Sequence, residues 1–252
     1  METVGTVAQV WRYPVKSMQG EPVERLEVGP GGAAGDRTLA VVDPSARKVL
    51  SAKLHAPLLE ASARVQGDTV VITLPDGSER DAGDPSVHDA LSAWLGLEVR
   101  LEAPSADAVY PMEMYSGMSD EDTALFDWPG PPGTWLDLAD VHWLTTASLA
   151  AAAELHPDGQ WDVRRFRPTA LFEVPGTAWA EDGWAQVDVG SARSEVLMPT
   201  MRCSMPSRAQ PGLTRDLAIG TTLRDQHDNN LGLYAKIVEA GSIAVGDAVR
   251  AT

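Results

Sequence analysis

TVAQVWRYPV, residues 6–15, sets apolar side chains at a spacing near two and closes on Pro14, which has no N–H to give to a ladder. It reads as a strand, and the sequence around it repeats the pattern. RLEVGP (25–30) ends on Gly-Pro, and RTLAVVDPSARKVLSA (37–52) reads as a hairpin around Asp43, Pro44 and Ser45. DTVVITLPDGSERD (68–81) turns at Pro75, Asp76 and Gly77. Short strands punctuated in this way make barrels and sandwiches. One helix interrupts them at DPSVHDALSAWLG (84–96), with Asp84 as N-cap, Pro85 in the first turn and Gly96 as the stop. Its apolar face carries Val87, Ala90, Leu91, Trp94 and Leu95.

From 103 to 141 the periodicity disappears into proline, glycine and acidic residues, a long connection of the kind that is usually functional or disordered, and its aromatics favour a packed loop. A second helix starts near Thr146 in TTASLAAAAELHPDG (145–159) and leaves through Pro-Asp-Gly. TALFEV, AQVDVG, SEVLMP and the stretch 232–251 return to strands. The expected fold is therefore α+β, predominantly β, in two β-rich segments, 1–103 and 104–252, each with a helix. The glycines of GPGGAAGDR (29–37) open no helix and complete no dinucleotide or phosphate-loop motif.

The chain has 252 residues, enough to bury about three quarters of its unfolded surface without staples. Its 36 acidic and 20 basic residues leave a net charge of −16, which would repel a phosphate backbone and argues against general nucleic-acid binding. A single cysteine forms no internal disulfide and rules out zinc sites built from several cysteines. With no secretory leader pattern and no apolar run of about 18 residues, a cytoplasmic protein without a membrane span is expected.

In so acidic a chain, local cations are either ordinary surface charge or a set reserved for an anionic ligand. Arg164, Arg165 and Arg167 crowd into VRRFRPT (163–169), and Lys16 and Arg37 stand at polar turns. The lone cysteine, Cys203, sits in MPTMRCSMP (198–206) beside Arg202, a cation suited to stabilising a thiolate that acts as nucleophile or metal ligand. The alternative is a small buried apolar residue. The five histidines lack metal-site spacing, and the acidic runs SDEDT (119–123) and AEDGW (180–184) read as solvated loop charge.

Taken in order, several of these stretches resemble one family. VWRYPVKSMQGE (10–21) followed by GGAAGDRTLAVVD (31–43) resembles the N-terminal β-barrel domain that precedes MOSC domains. The segments 126–149, RRFRPT (164–169), MPTMRC (198–203) and 231–249 resemble successive parts of the MOSC domain itself. The resemblance implies an N-terminal barrel-like domain over 1–103 and a MOSC β-barrel with a few helices over 104–252. Within that family it resembles the group of the mitochondrial amidoxime-reducing component. Members carry a molybdenum cofactor, Mo-molybdopterin, whose metal is held by a pterin dithiolene and one protein cysteine, which matches Cys203. A soft thiolate suits a metal already surrounded by sulfur. By the same resemblance Lys16, Ser17 and Arg37 contact the phosphate or pterin, and Thr145, Ser148 and Arg167 complete the cradle with Thr169 and Arg202. Thr169 stands where relatives often have Asn, and Thr200 where some have a further cysteine.

The activity so implied is reduction of small N-hydroxylated compounds, hydroxylamines or amidoximes, with Cys203 as catalytic metal ligand. The loop from Tyr110 to Trp135 is the expected wall of the substrate pocket. Electrons require a separate ferredoxin or flavin reductase, because the chain has neither the cysteines for an iron–sulfur cluster nor a visible flavin or nicotinamide motif. The other reading the resemblance leaves open is a non-catalytic carrier of the cofactor or of sulfur, partnered by a pyridoxal-phosphate sulfurase. A third is a metal-free fold that uses Cys203 as a plain redox or persulfide-bearing thiol.

Overall fold

The computed structural model describes residues 1–105, 110–115 and 125–252. The acidic run 119–123 and part of the expected 110–135 wall lie outside these described residues. At the centre is a closed barrel of seven strands. Around it the order is Ala170–Glu173, Val141–Thr145, Asn230–Glu239, Ala192–Met201, Gln186–Val189, Ala248–Ala251 and Glu2–Arg12. Glu2–Arg12 seals the ring by pairing antiparallel with Ala248–Ala251 on one side and Ala170–Glu173 on the other. Closure satisfies the ladder donors that an edge strand would leave open.

That first strand, the one read from TVAQVWRYPV, thus closes a barrel whose other strands all come from beyond residue 140. The two sequence segments interlock. Val7, Val10, Trp143, Phe172, Leu233, Ala235, Ile237 and Val249 fill the interior, each large apolar side chain contributing roughly 1.5–3 kcal/mol by its burial. Gly5 sits at a shift of register between Thr3 and Gly5. A Cβ there would stand 2.1 Å from the Glu173 carbonyl oxygen, so only glycine allows the strands to approach.

A second core forms from residues 15–101, with Val15, Met18, Val41, Leu58, Leu59 and Ile72 packed against helix α1 (Ser86–Leu95). The expected turn chemistry holds this segment together. Asp43 accepts from the Ser45 and Ala46 N–H groups between the paired strands Ala40–Asp43 and Lys48–Val49. Gly77 has φ 82° between Thr69–Thr73 and Glu79–Asp81. At α1 the N-cap is Pro85 and not the expected Asp84, which instead accepts from the Ser86 N–H just ahead of the helix, and Gly96 ends α1 at φ 65°. Met205 belongs to this core and Cys203 packs against it, so the cysteine lies where the barrel meets the first segment.

Helices α2 (Thr146–Leu155) and α3 (Leu217–Gln226) cover the outer face of the barrel through Ala152, Ile219 and Leu223. The sequence reading gave α2 but no helix at 217–226. Asp216 caps α3 by accepting from the Ala218 N–H, and Ile219 and Leu223 form its buried stripe. Among the described residues, no helix is long and apolar enough to cross a membrane.

Candidate functional site

Two turns build one side of the site. Past Pro14 the chain folds against residues 37–39. There the Arg37 N–H donates to the Tyr13 carbonyl (2.7 Å), and the Lys16 N–H to the Leu39 carbonyl (2.8 Å). Lys16, Ser17 and Arg37 are thereby brought together from two places in the chain. Ser17 and Arg37 adopt left-handed backbone conformations, with φ 69° and 46°, and so does Arg167, with φ 54°. For residues bearing a Cβ this costs about 1–3 kcal/mol each, a strain that concentrates at functional sites. All three were named from the sequence as cofactor-binding residues.

These side chains line a cleft whose empty space, counted out into its open mouth, is about 600 Å³. Arg202 and Cys203 line it too. Its lining includes Lys16, Arg37, Arg165, Arg167 and Arg202 but a single carboxylate, Asp137. A chain of charge −16 thus gathers several positive charges in this cleft.

The cations are held in different ways. Arg167 lies 4.2 Å over the buried Tyr13 ring and donates from Nη1 to the Met18 carbonyl, while its Nη2 has no partner among the described residues. Burial, then repulsion from Arg37, lowers its pKa to about 10. Arg37 also faces the Tyr13 ring and is paired with Asp36. Lys16 donates to the Trp135 carbonyl (2.8 Å) and to Asp137 Oδ1 (2.5 Å). Burial pulls its pKa down to about 8 even though Asp137 opposes the shift. Burial, the largest single effect on Lys53, lowers its pKa, but Asp137, with Oδ2 3.3 Å away, raises it together with Cys203 and Tyr234, and the net shift is upward. Burial alone would raise Asp137, but Lys16 and Lys53 hold its carboxyl far below the usual carboxylate range. Burial and the neighbouring Arg202 keep His142 neutral.

Cys203 follows the strand Ala192–Met201, and the residues around it are fixed by main-chain bonds. The Arg202 N–H donates to the Asn229 carbonyl (2.8 Å), the Asn229 side chain donates back to the Arg202 carbonyl (2.6 Å), and Arg202 Nη2 reaches the Phe166 carbonyl (3.0 Å). On the other side of the thiol, Arg165 donates to the carbonyls of Gln160, Pro206, Arg208 and Thr214. The basic cluster 164–167 is thus divided by task. Arg164 pairs with Asp162, Arg165 ties loops together, and Arg167 turns into the cleft.

Of the nine residues named from the sequence, Lys16, Ser17, Arg37, Arg167, Arg202 and Cys203 share this cleft. Ser17 Oγ accepts from the Ala52 N–H (3.0 Å), which leaves its hydroxyl proton to donate. Thr169 lines an adjoining cavity, its hydroxyl accepting from the His142 N–H (3.1 Å). Thr145 and Ser148 stand apart, at the start of α2. Thr145 accepts from the Ser148 N–H and donates to Glu181 (2.8 Å), and Ser148 Oγ accepts from the Trp179 N–H (2.7 Å). Glu181 is buried, so within AEDGW only the exposed Asp182, 2.7 Å from His227, fits the expected solvated loop charge. Sequence reasoning missed Asp137 and Tyr234, which also line the cleft. Asp137 had a signal in being an acid within an aromatic and apolar run, WLDL.

A closed barrel with a cationic cleft and one thiol at its margin is the class of structure defined here. A model described as MOSC domain matches residues 136–250, and one described as MOSC N-terminal beta barrel domain matches residues 4–102. The chain belongs to the MOSC-domain proteins that carry this N-terminal barrel domain. It is similar to mitochondrial amidoxime reducing component 2 of Macaca fascicularis, at 23% identity over 288 aligned residues, covering 99% of this chain and 84% of that protein. The crystal structure of the YuaD protein from Bacillus subtilis overlays with TM-score 0.49 at 9% identity, covering 97% of this chain and 93% of that one. YiiM from Geobacillus stearothermophilus gives 0.33 at 14% identity, covering 57% and 74%.

Proposed function

We propose that the cleft binds a molybdenum cofactor and that the protein reduces small N-hydroxylated compounds with electrons from a separate donor protein. The observation that carries this is the cleft lining, five cationic side chains to one carboxylate around the only thiol of a strongly acidic chain. MOSC domains are associated with molybdenum-cofactor binding, and the similar primate protein is named for amidoxime reduction.

The residues present fit such a group. Arg167 Nη2 and Arg202 Nε are buried without a partner among the described residues, and an unmet buried donor costs about 1–3 kcal/mol, which an anionic ligand offsets. Arg167, Arg37 and Lys16 would hold the phosphate, with arginine forks for paired oxygens, lysine as a point charge and Ser17 filling a remaining acceptor. Cys203 would hold the metal through its thiolate, a soft ligand. When bound, the cofactor supplies two-electron redox chemistry that no side chain of this protein provides.

The overall reaction takes two electrons and two protons, breaks the N–O bond, and yields amine or amidine and water. Lys16 keeps its proton at Nζ up to about pH 8, and Asp137 fixes the direction of that ammonium group. His142 stays neutral and adds no charge beside Arg202. The deciding measurement is molybdenum and released pterin in protein made by a cofactor-producing host, native against Cys203→Ala. Near-stoichiometric metal that falls in the variant, together with reduction of a hydroxylamine by a chemical reductant, is the expected result. Absence of metal and pterin from both samples would end the proposal. A loaded protein that turns nothing over would be a carrier.

A further inference from the structure

On the outer face of the barrel one row of side chains crosses three neighbouring strands. His142 stands opposite Tyr234, and Tyr234 opposite Met198. Met198 owes this place to a bulge. Val196 pairs with Ala235 on the inner face, and the residue two further along would ordinarily point inward again. The register shifts between Val196 and Met198, so Met198 meets the outward-facing Tyr234 instead. A second shift falls between Pro199 and Met201, and Met201 lines the cleft while remaining 55% exposed. Leu138, next to Asp137 and 40% exposed, lines the adjoining cavity together with Tyr234. Single exposed apolar residues need no explanation. Here two departures from strand register set Met198 opposite Tyr234, a wall of the cleft, and Met201 in the cleft lining.

We infer that Leu138, Met198 and Met201 form an apolar lip that takes the hydrocarbon body of the substrate while its N-hydroxylated head enters the cationic cleft. This rests on the proposed function and narrows it to N-hydroxylated compounds bearing alkyl or aryl groups. A hydrocarbon pushed inside would strip water from Lys16, Arg37 and Arg167 without giving them a partner, which is costly. On the lip it covers leucine and thioether surface instead. Unbranched methionines repack readily, so the lip accommodates bodies of more than one shape.

The test uses N-alkylhydroxylamines from methyl to hexyl and protein from a cofactor-producing host. Dissociation constants are measured by calorimetry, and reduction is followed in parallel with a chemical reductant. Affinity should rise about twofold per added methylene, half of the roughly fourfold that complete burial of a CH2 gives. That slope should vanish in the Met198→Ser, Met201→Ser double variant and persist when both are changed to Leu. A flat native series, or an unchanged slope in the serine variant, overturns the lip. A clear slope without any reduction leaves the lip standing and overturns the reductase reading. Reduction with no slope does the reverse, and no binding at any chain length overturns both.

Discussion

At Lys16 two opposing effects meet on one ammonium group. Burial lowers its pKa from 10.5 to about 8, and the Asp137 carboxylate pulls it back up. Because the folded chain binds this proton less tightly than the unfolded one, the stability associated with Lys16 rises with pH between about 8 and 10.5. Anion binding runs the other way, since the cleft loses a charge above about pH 8. Pyrophosphate affinity, measured by calorimetry, should therefore weaken about tenfold between roughly pH 7 and 9, the value of one charge-assisted hydrogen bond. In Asp137→Asn the supporting carboxylate is gone, and the midpoint should move to lower pH. An unmoved midpoint would show that Asp137 does not act on Lys16.

Between the elements, Arg165 does for loops what a ladder does for strands. Its buried guanidinium satisfies the carbonyls of Gln160, Pro206, Arg208 and Thr214, three of them within the turns that follow Cys203. Arg165→Met keeps comparable length but strips donors from these carbonyls, and should cost about 3 kcal/mol in urea denaturation. A loss below about 1 kcal/mol would mean that water replaces the arginine. Nothing in VRRFRPT separates this strut from Arg167, because their difference lies in the left-handed turn at Arg167, not in residue type. Turns were legible wherever a local side chain makes them, as Asp43 does for Ser45 and Ala46. Helix α3 was not, since Gly220, Thr221 and Thr222 dilute a stripe that only Ile219 and Leu223 carry inward. Tyr234 was hidden for a similar reason. Its alternation with Leu233 and Ala235 reads as an ordinary strand, and only the packing of the first segment against the barrel turns its outer face into a cleft wall.

For the molecule as a whole, the pairing of Thr6 with Glu173 matters more than any local pattern, and no local pattern reveals it. The strand Glu2–Arg12 seals the barrel and runs directly into the Tyr13–Ser17 turn, so barrel closure and cleft geometry share one piece of backbone. Gly5 is the place to test that coupling. In Gly5→Ala the new methyl would meet the Glu173 carbonyl at 2.1 Å, and because the obstacle is backbone, the strands must separate or shift. A loss of about 2–3 kcal/mol is expected, as for other overpacked sites. If the two sequence segments form one cooperative unit, heat should change the tryptophan fluorescence and abolish pyrophosphate binding in a single transition, displaced downward in the variant for both probes. Two separated transitions, with only the barrel tryptophans affected, would show instead that residues 15–101 hold their core without the closed barrel.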